Sequence, residues 1–353
     1  MSQIKSGAPT FLQGTMASDL KSLTNTLTST ASSWHNSPVL SVSQLTPSGL
    51  SLLFETAQKM RTLVKEKGGD ERLKFKILAS VFYEASTRTS CSFQAAMLRL
   101  GGKVLHIDAG KSGNTSSSKG ESLDDTIRCL ECYTDITVLR HPIKGSVPSV
   151  ALGGGTMKPV INAGDGTGEH PTQALLDMFT IWDELNLSMD GDEKCPLTVV
   201  MLGDLKHGRT VHSLAMLLAR SANREVVLRY CSPPSLAMPG YVKEYCAGYN
   251  GVKQEECIDL TEAVKGADIL YVTRVQKERF DTSEAYEAVK GAYVVDNSIM
   301  ASAPENMRVM HPLPRVDEIA TEVDSDPRAC YFRQMENGMY VRMAILALVL
   351  GCP

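Results

Sequence analysis

The sequence predicts an α/β protein made of two doubly wound parallel-sheet domains, with the active site in the cleft between them. Three observations lead there. From residue 76 onward, short apolar runs rich in β-branched residues alternate with longer stretches of helical period. At 353 residues the chain is long enough for two substantial cores. Arginines and histidines recur just beyond the strand-like runs, where parallel sheets present ligands at their carboxyl ends.

Taken in order, residues 1–40 are rich in Ser, Thr and Asn without a sustained apolar period, and read as a flexible linker or arm. Thr46-Pro47-Ser48 then opens a helix toward Lys67, with Leu52, Leu53, Thr56, Ala57, Met60 and Leu63 on its periodic face. Strands are predicted at 76–83, 103–107, 136–139, 159–162, 197–202, 225–231, 269–272, 293–296 and 308–310. Helices are predicted at 88–100, 121–133, 171–185, 209–220, 239–249 and 328–350. The polar stretch from Asn186 to Pro196 marks the domain boundary. One domain is 41–185 plus 327–353, the other 186–326. The terminal helix packs back on the first domain in this reading, with Gly338 as the point where it kinks.

A net charge of −4 argues against a nucleic-acid-binding body, so anionic ligands require positive charge concentrated locally. No apolar stretch reads as a membrane span. Nine scattered cysteines, an odd number without a signal peptide, fit a reduced, cytoplasmic setting. Cys129 and Cys132 are the one close pair, and no second pair or histidines follow at ligand spacing, so no metal is expected. Two glycine-rich turns, Gly203 to Gly208 and Asn162 to Gly168, lack the G-x-G-x-x-G spacing of a dinucleotide site. No cofactor is expected.

The chain is organised around Glu84-Ala85-Ser86-Thr87-Arg88-Thr89-Ser90, between the run Ile77–Tyr83 and a helix bearing Phe93, Ala96, Met97 and Leu100. Helix N-termini have unpaired N–H groups and a dipole that favours anions. Three hydroxyls and a guanidinium beside them make a phosphate cradle. An N-cap serine followed by a surface arginine would look the same at this point. Other strand ends carry Arg140-His141-Pro142, His170-Pro171-Thr172-Gln173, Arg209, Arg274-Val275-Gln276 with Arg279, and His311-Pro312-Leu313-Pro314-Arg315. Singly, each arginine also suits a surface ion pair. Together they describe a cleft for small, multiply anionic substrates.

These motifs, with Gly203-Asp204-Leu205-Lys206, Gly208-Arg209-Thr210-Val211-His212-Ser213 and Lys119-Gly120-Glu121-Ser122, resemble aspartate carbamoyltransferase in type and in order, over about residues 40–351. The pattern is similar to the domain found in eukaryotic multifunctional pyrimidine-synthesis polypeptides. The ornithine-specific relatives share the S-T-R-T turn but carry a His-Cys-Leu-Pro turn, where this chain has Pro312. Some bacterial relatives have arginine after S-T-R-T and two adjacent lysines in the mobile loop, whereas this chain has Ser90 there and Lys119 without an adjacent lysine.

The resemblance implies transfer of a carbamoyl group from carbamoyl phosphate to the amine of L-aspartate in de novo pyrimidine synthesis. It implies Ser86, Thr87, Arg88 and Thr89 on the phosphate and Arg140 between phosphate and carbonyl. Thr89, Arg140 and His170 would donate to the carbonyl oxygen. Gln173 and the carbonyls near Pro312 and Leu313 would accept from the carbamoyl NH₂. Arg209 would hold the α-carboxylate of aspartate, and Arg274 with Gln276 its side-chain carboxylate. Glu84 would bridge the domains to Arg209 and Arg279. Ser116 and Lys119 would reach the neighbouring subunit's site in a homotrimer. Another amine acceptor, or an idle ligand-binding scaffold domain, are the alternatives; the first conflicts with Arg274, and no catalytic position is substituted as the second would require.

Overall fold

The computed structural model describes residues 23–110, 120–187, 196–221, 224–280 and 282–353. The first sheet contains β1 (Ile77–Phe82), β2 (Lys103–Asp108), β3 (Ile136–His141) and β4 (Val160–Asp165), in the order β2-β1-β3-β4. The second contains β5 (Leu197–Leu202), β6 (Val226–Cys231), β7 (Val252–Cys257), β8 (Ile269–Val272) and β9 (Arg308–Met310), in the order β7-β6-β5-β8-β9. Every strand pairing within them is parallel. The helices are α1 (Ala31–Trp34), α2 (Pro47–Lys67), α3 (Thr87–Arg99), α4 (Leu123–Glu131), α5 (Ser146–Leu152) and α6 (Pro171–Glu184). They continue as α7 (Arg209–Arg220), α8 (Gly240–Ala247), α9 (Leu260–Ala263), α10 (Ser283–Glu287), α11 (Asn297–Ser302) and α12 (Tyr331–Val349).

This strand order decides where a ligand can bind. In the first sheet the chain leaves β1 for β2 on one side and returns to β3 on the other. In the second it moves outward from β5 through β6 to β7, then crosses to β8. Each reversal opens a crevice at the carboxyl ends of the two central strands. Arg140 stands at the carboxyl end of β3 itself, and the segments after β1, β5 and β8 lead to Ser86–Thr89 at the start of α3, Arg209 at the start of α7, and Arg274.

Three helices hold the sheets in register. α6 closes the first half and packs on α7, which opens the second. α12 runs back across α2, α3 and α6, and its stretch from Met343 to Val349 is fully buried. Gly338 lies inside one unbroken α12, where a Cβ would stand 3.0 Å from Leu176 Cδ2. Its missing side chain therefore lets α6 approach. Among the described residues no helix is long and apolar enough to cross a membrane.

Three expectations need correction. The arm is not a linker as far as residue 40, because Leu27, Trp34 and Val39 are fully buried. The Trp34 indole donates to the Thr28 carbonyl at 2.9 Å, and Val39 N–H donates to Val160 O at 3.0 Å, lengthening the first sheet by one bridge beside β4. A few apolar side chains scattered among Ser and Thr do this without any period. The strand predicted at 293–296 is a single bridge, Val295 to Ile319, because Asp296 at once caps α11 by accepting from Ser298 and Ile299 N–H. Conversely β7, reading Val-Lys-Gln-Glu-Glu-Cys, escaped prediction; it is a sheet edge none of whose residues is buried, and needs no apolar run.

Removing a buried aromatic side chain costs about 3–5 kcal/mol through lost transfer energy and the cavity left behind. Trp34→Ala should therefore lower the denaturant midpoint clearly in chemical unfolding. An unchanged midpoint would mean that the segment before residue 40 contributes nothing to the fold.

Candidate active site

A cleft of about 960 Å³ runs between the two sheets. Its first wall is the start of α3. Ser86 is the N-cap, its hydroxyl makes no capping bond, and the first turn contains no acidic residue. The hydroxyl and the unpaired N–H groups of the first turn thus stay available to an anion. Thr89 Oγ1 lies 3.4 Å from His170 Nε2, which joins this wall to the start of α6.

Positive charge gathers beside it. Burial lowers the Arg88 guanidinium from its ordinary range, and Arg274 across the cleft lowers it further. Arg140 is pushed down to about 10, first by burial and then by Arg209, against the pull of Glu84. Burial also lowers Arg209; Glu84 opposes that, and Arg279 adds to it. Glu84 Oε2 sits 2.9 Å from Arg140 Nη2 and 3.6 Å from Arg209 Nη2, so one carboxylate spans guanidinia from both halves. The Arg140 contact was not foreseen. Arg279 stands beside Arg209, and its Nε has no hydrogen-bond partner among the described residues. Arg209 also donates to Gly166 O at 2.6 Å, which anchors α7 to the loop after β4. Gly164, at φ 125°, makes this crowding possible: a Cβ there would lie 3.1 Å from Arg140 Nη1 and 3.3 Å from Arg209 Cζ.

His170 caps α6 and is buried, and its backbone N–H donates to Ser213 Oγ at 3.3 Å. Burial holds its imidazole well below the ordinary histidine range, helped by Arg209, Arg140 and Arg342. It is therefore neutral at pH 7, and its Nδ1 has no partner among the described residues. One turn on, Gln173 donates its amide N–H to Asp177 Oδ1 at 2.9 Å. Opposite, the loop after β9 carries Pro312 and Leu313. Leu313 N–H donates to His311 Nδ1, and His311 Nε2 lies 2.7 Å from Glu318 Oε1. Nδ1 is thus the acceptor and Nε2–H the donor, a neutral tautomer. Burial lowers His311 accordingly, more than Glu318 raises it.

On the second side, Arg274 and Gln276 follow β8 into the same cleft. Gln276 N–H points at Asp204 Oδ2 at 3.4 Å, and Asp204 also accepts the His207 N–H at 3.0 Å. That buried carboxylate ties the loops after β5 and β8 together. The structure therefore brings together Glu84, Ser86–Thr89, Arg140, His170, Gln173, Arg209, Arg274, Gln276, Arg279, Pro312 and Leu313. Ser116 and Lys119 lie outside the described residues.

Two charged groups escaped sequence reading. Arg342 on α12 reaches the cleft from a buried position, donates to Ser92 Oγ at 2.7 Å and lies over the Phe93 ring. Asp177 is its counterpart on α6. Each is a charge inside an apolar helical run, and that interruption was the signal available.

Residues 38–183 match the carbamoyl-phosphate-binding domain of the aspartate/ornithine carbamoyltransferases, and residues 196–349 match their aspartate/ornithine-binding domain. The chain is 46% identical to the aspartate carbamoyltransferase catalytic subunit of Thermococcus gammatolerans, over 90% of this chain and 99% of that relative. It is 53% identical to the multifunctional protein pyr1-3 of Dictyostelium discoideum over 89% of this chain, but spans only 13% of that relative's length. An aspartate transcarbamoylase structure from Trypanosoma cruzi in complex with carbamoyl phosphate and aspartate superposes with a TM-score of 0.83 at 40% identity, covering 91% of this chain and 98% of that one. With both halves matched and full-length relatives this similar, the chain belongs to the aspartate/ornithine carbamoyltransferase family.

Proposed function

We propose that this chain transfers the carbamoyl group of carbamoyl phosphate to the α-amine of L-aspartate, forming N-carbamoyl-L-aspartate and phosphate. The observation that carries this reading is the pairing of two cationic sites across one cleft. Ser86–Thr89 with Arg88 and Arg140 suit a phosphate; Arg209 and Arg274 suit two carboxylates. Ornithine would bring its ammonium against a guanidinium. The first unit, 41–185 with 327–353, takes carbamoyl phosphate, and 186–326 takes aspartate. Neither a metal nor a cofactor is invoked.

The chemistry follows from the donors and acceptors. Thr89, Arg140 and neutral His170 donate to the carbonyl oxygen, on which charge develops when the amine attacks. Gln173 Oε1 and the carbonyls of Pro312 and Leu313 accept from the carbamoyl NH₂. The amine's attack forms the C–N bond and the tetrahedral intermediate; as that intermediate collapses the C=O bond is restored, the C–O bond to phosphate breaks, and phosphate leaves with the amine's proton. Positioning replaces a protein nucleophile.

The reaction belongs to de novo pyrimidine synthesis in the cytoplasm, where this chain acts as one segment of a fused polypeptide. The multifunctional relative supports the fusion, and the described cysteines are all unpaired, as a reducing compartment would keep them. Assembly is a homotrimer in which Ser116 and Lys119 complete the neighbouring site, because a dianionic phosphate beside a dicarboxylate calls for further positive charge.

Charge-assisted hydrogen bonds contribute about 1.5–3 kcal/mol each. Arg274→Ala should thus raise the aspartate KM by roughly tenfold to a hundredfold and leave carbamoyl-phosphate binding nearly intact, as steady-state kinetics and ligand titration would read. Unaltered aspartate kinetics would remove Arg274 from the site. Glu84→Ala should lower kcat and weaken aspartate use in a protein that still folds; full ligand-induced compaction of that variant by X-ray scattering would exclude a bridging role. For the shared site, Lys119→Ala and Arg88→Ala should each be inactive alone. Dissociated and reassembled together, they should regain activity at roughly a quarter of sites. Mixed trimers, confirmed by mass, that stay inactive would mean that each loop serves its own chain.

A further inference from the structure

Asp177 lies one turn beyond Gln173, within the apolar run from Ala174 to Trp182, and none of its surface reaches solvent. Burying a carboxylate is costly unless its oxygens are bonded. Here three elements supply the bonds. Gln173 Nε2 of α6 donates to Oδ1 at 2.9 Å, and Gln334 Nε2 of α12 donates to the same oxygen at 2.6 Å. The Tyr271 hydroxyl of β8 donates to Oδ2 at 2.7 Å.

The direction of these bonds has a consequence in the cleft. An ionised carboxylate only accepts, so an amide that faces it must present its nitrogen. Gln173 is thereby turned with Nε2 inward and Oε1 left as its free acceptor end. Gln334 is oriented by the same carboxylate, and its Oε1 accepts the His311 backbone N–H at 2.9 Å. His311 in turn accepts from Leu313 N–H at 2.7 Å. We propose that Asp177 is a positioning residue for carbamoyl transfer: one buried carboxylate aims the Gln173 carbonyl oxygen and, through Gln334 and His311, places the loop bearing the Pro312 and Leu313 carbonyls. Both sets of acceptors for the carbamoyl NH₂ hang from it. The inference rests on the carbamoyl-transfer reading above.

The charged and titratable groups facing Asp177 are the Tyr271 phenol from β8 and the Arg342 guanidinium from α12, with the Gln173 and Gln334 amides beside them. Burial pushes the carboxyl up to about 7, against the hydrogen bonds of Tyr271, Gln334 and Gln173 and the charge of Arg342. Once protonated, the acid must donate from one oxygen, and the orientation of its neighbours is no longer unique. Positioning by the ionised form is present above that value and is lost as pH falls through it. Removing a donor raises the carboxyl further and moves the loss to higher pH.

The wild-type chain is assayed first, with carbamoyl phosphate and aspartate, for phosphate release and carbamoylated product. No turnover there overturns the carbamoyl-transfer reading, and this inference with it. With turnover established, Asp177→Asn keeps the shape but offers an NH₂ as well as an oxygen, so the Gln173 amide can face either way. The expected result is a loss in kcat/KM for carbamoyl phosphate of about tenfold to a hundredfold, with the aspartate KM little changed. Combined with Gln173→Ala, the loss should be smaller than the product of the two single losses, since both act on one contact. Tyr271→Phe keeps the packing and removes one donor, so its acid limb in kcat/KM should shift to higher pH even if Asp177→Asn fails to fold. Wild-type kinetics in Asp177→Asn, losses that multiply, or an unmoved acid limb in Tyr271→Phe would each overturn the positioning role.

Discussion

Arg140, at the carboxyl end of β3, and Arg209, at the start of α7, are driven together out of water. Like charges this close repel, and burial removes the solvent that would screen them. Three features keep the arrangement standing. Glu84 places one carboxylate between both guanidinia. Gly164 takes up no space where the two side chains converge. Gly166 O accepts from Arg209 at 2.6 Å and so fixes the direction of its head. Because the chain is slightly acidic overall, this charge is a property of the cleft and not of the surface. An anion entering it relieves a repulsion already present, which is how a fold stores affinity for a phosphate or a dicarboxylate before either arrives.

The cleft also depends on elements far from it. α6 begins at His170 and Gln173 and ends at the exit from the first half; α7 begins at Arg209. Their packing makes the distance between the Ser86–Thr89 wall and the Arg209–Arg274 wall a matter of one helix–helix contact. α12 braces α6 from behind, places Arg342 on the cleft wall and sets Gln334 behind it. A helix from the very end of the chain therefore stabilises side chains that precede it by more than 150 residues, and Gly338 sits where that bracing requires the closest approach.

How much of this could be read from the sequence depended on whether a residue's role leaves a local signature. Ser86–Thr89 did, because an anion cradle needs hydroxyls and a cation directly after an apolar run. Arg140, Arg209 and Arg274 did, because each lies at or just beyond the end of an apolar strand-like run. The geometry among them did not: nothing local tells that Glu84 faces Arg140 more closely than Arg209. β7 was hidden because an edge strand makes its hydrogen bonds without burying its side chains. The packed segment before residue 40 was hidden because Leu27, Trp34 and Val39 share no period; only the three-dimensional surface they cover relates them. Asp177 and Arg342 were visible as interruptions in apolar helices, yet only the folded chain reveals what they face.

The division of labour around the proposed carbamoyl group has a physical basis in protonation. On the oxygen side every named group donates: Thr89, Arg140 and a His170 kept neutral by burial and by neighbouring arginines. A neutral imidazole donates one hydrogen bond without adding another charge to a cluster that already holds several. On the nitrogen side every named group accepts: the Gln173 carbonyl oxygen and two backbone carbonyls. A planar carbamoyl group met by donors at one end and acceptors at the other has one orientation in its plane. Arg209 and Arg274 line the same cleft, and the proposed aspartate amine would come from their side. Polarity that is fixed in advance on both ends costs no reorganisation when charge moves onto the oxygen, and that preorganisation takes the place of a protein nucleophile.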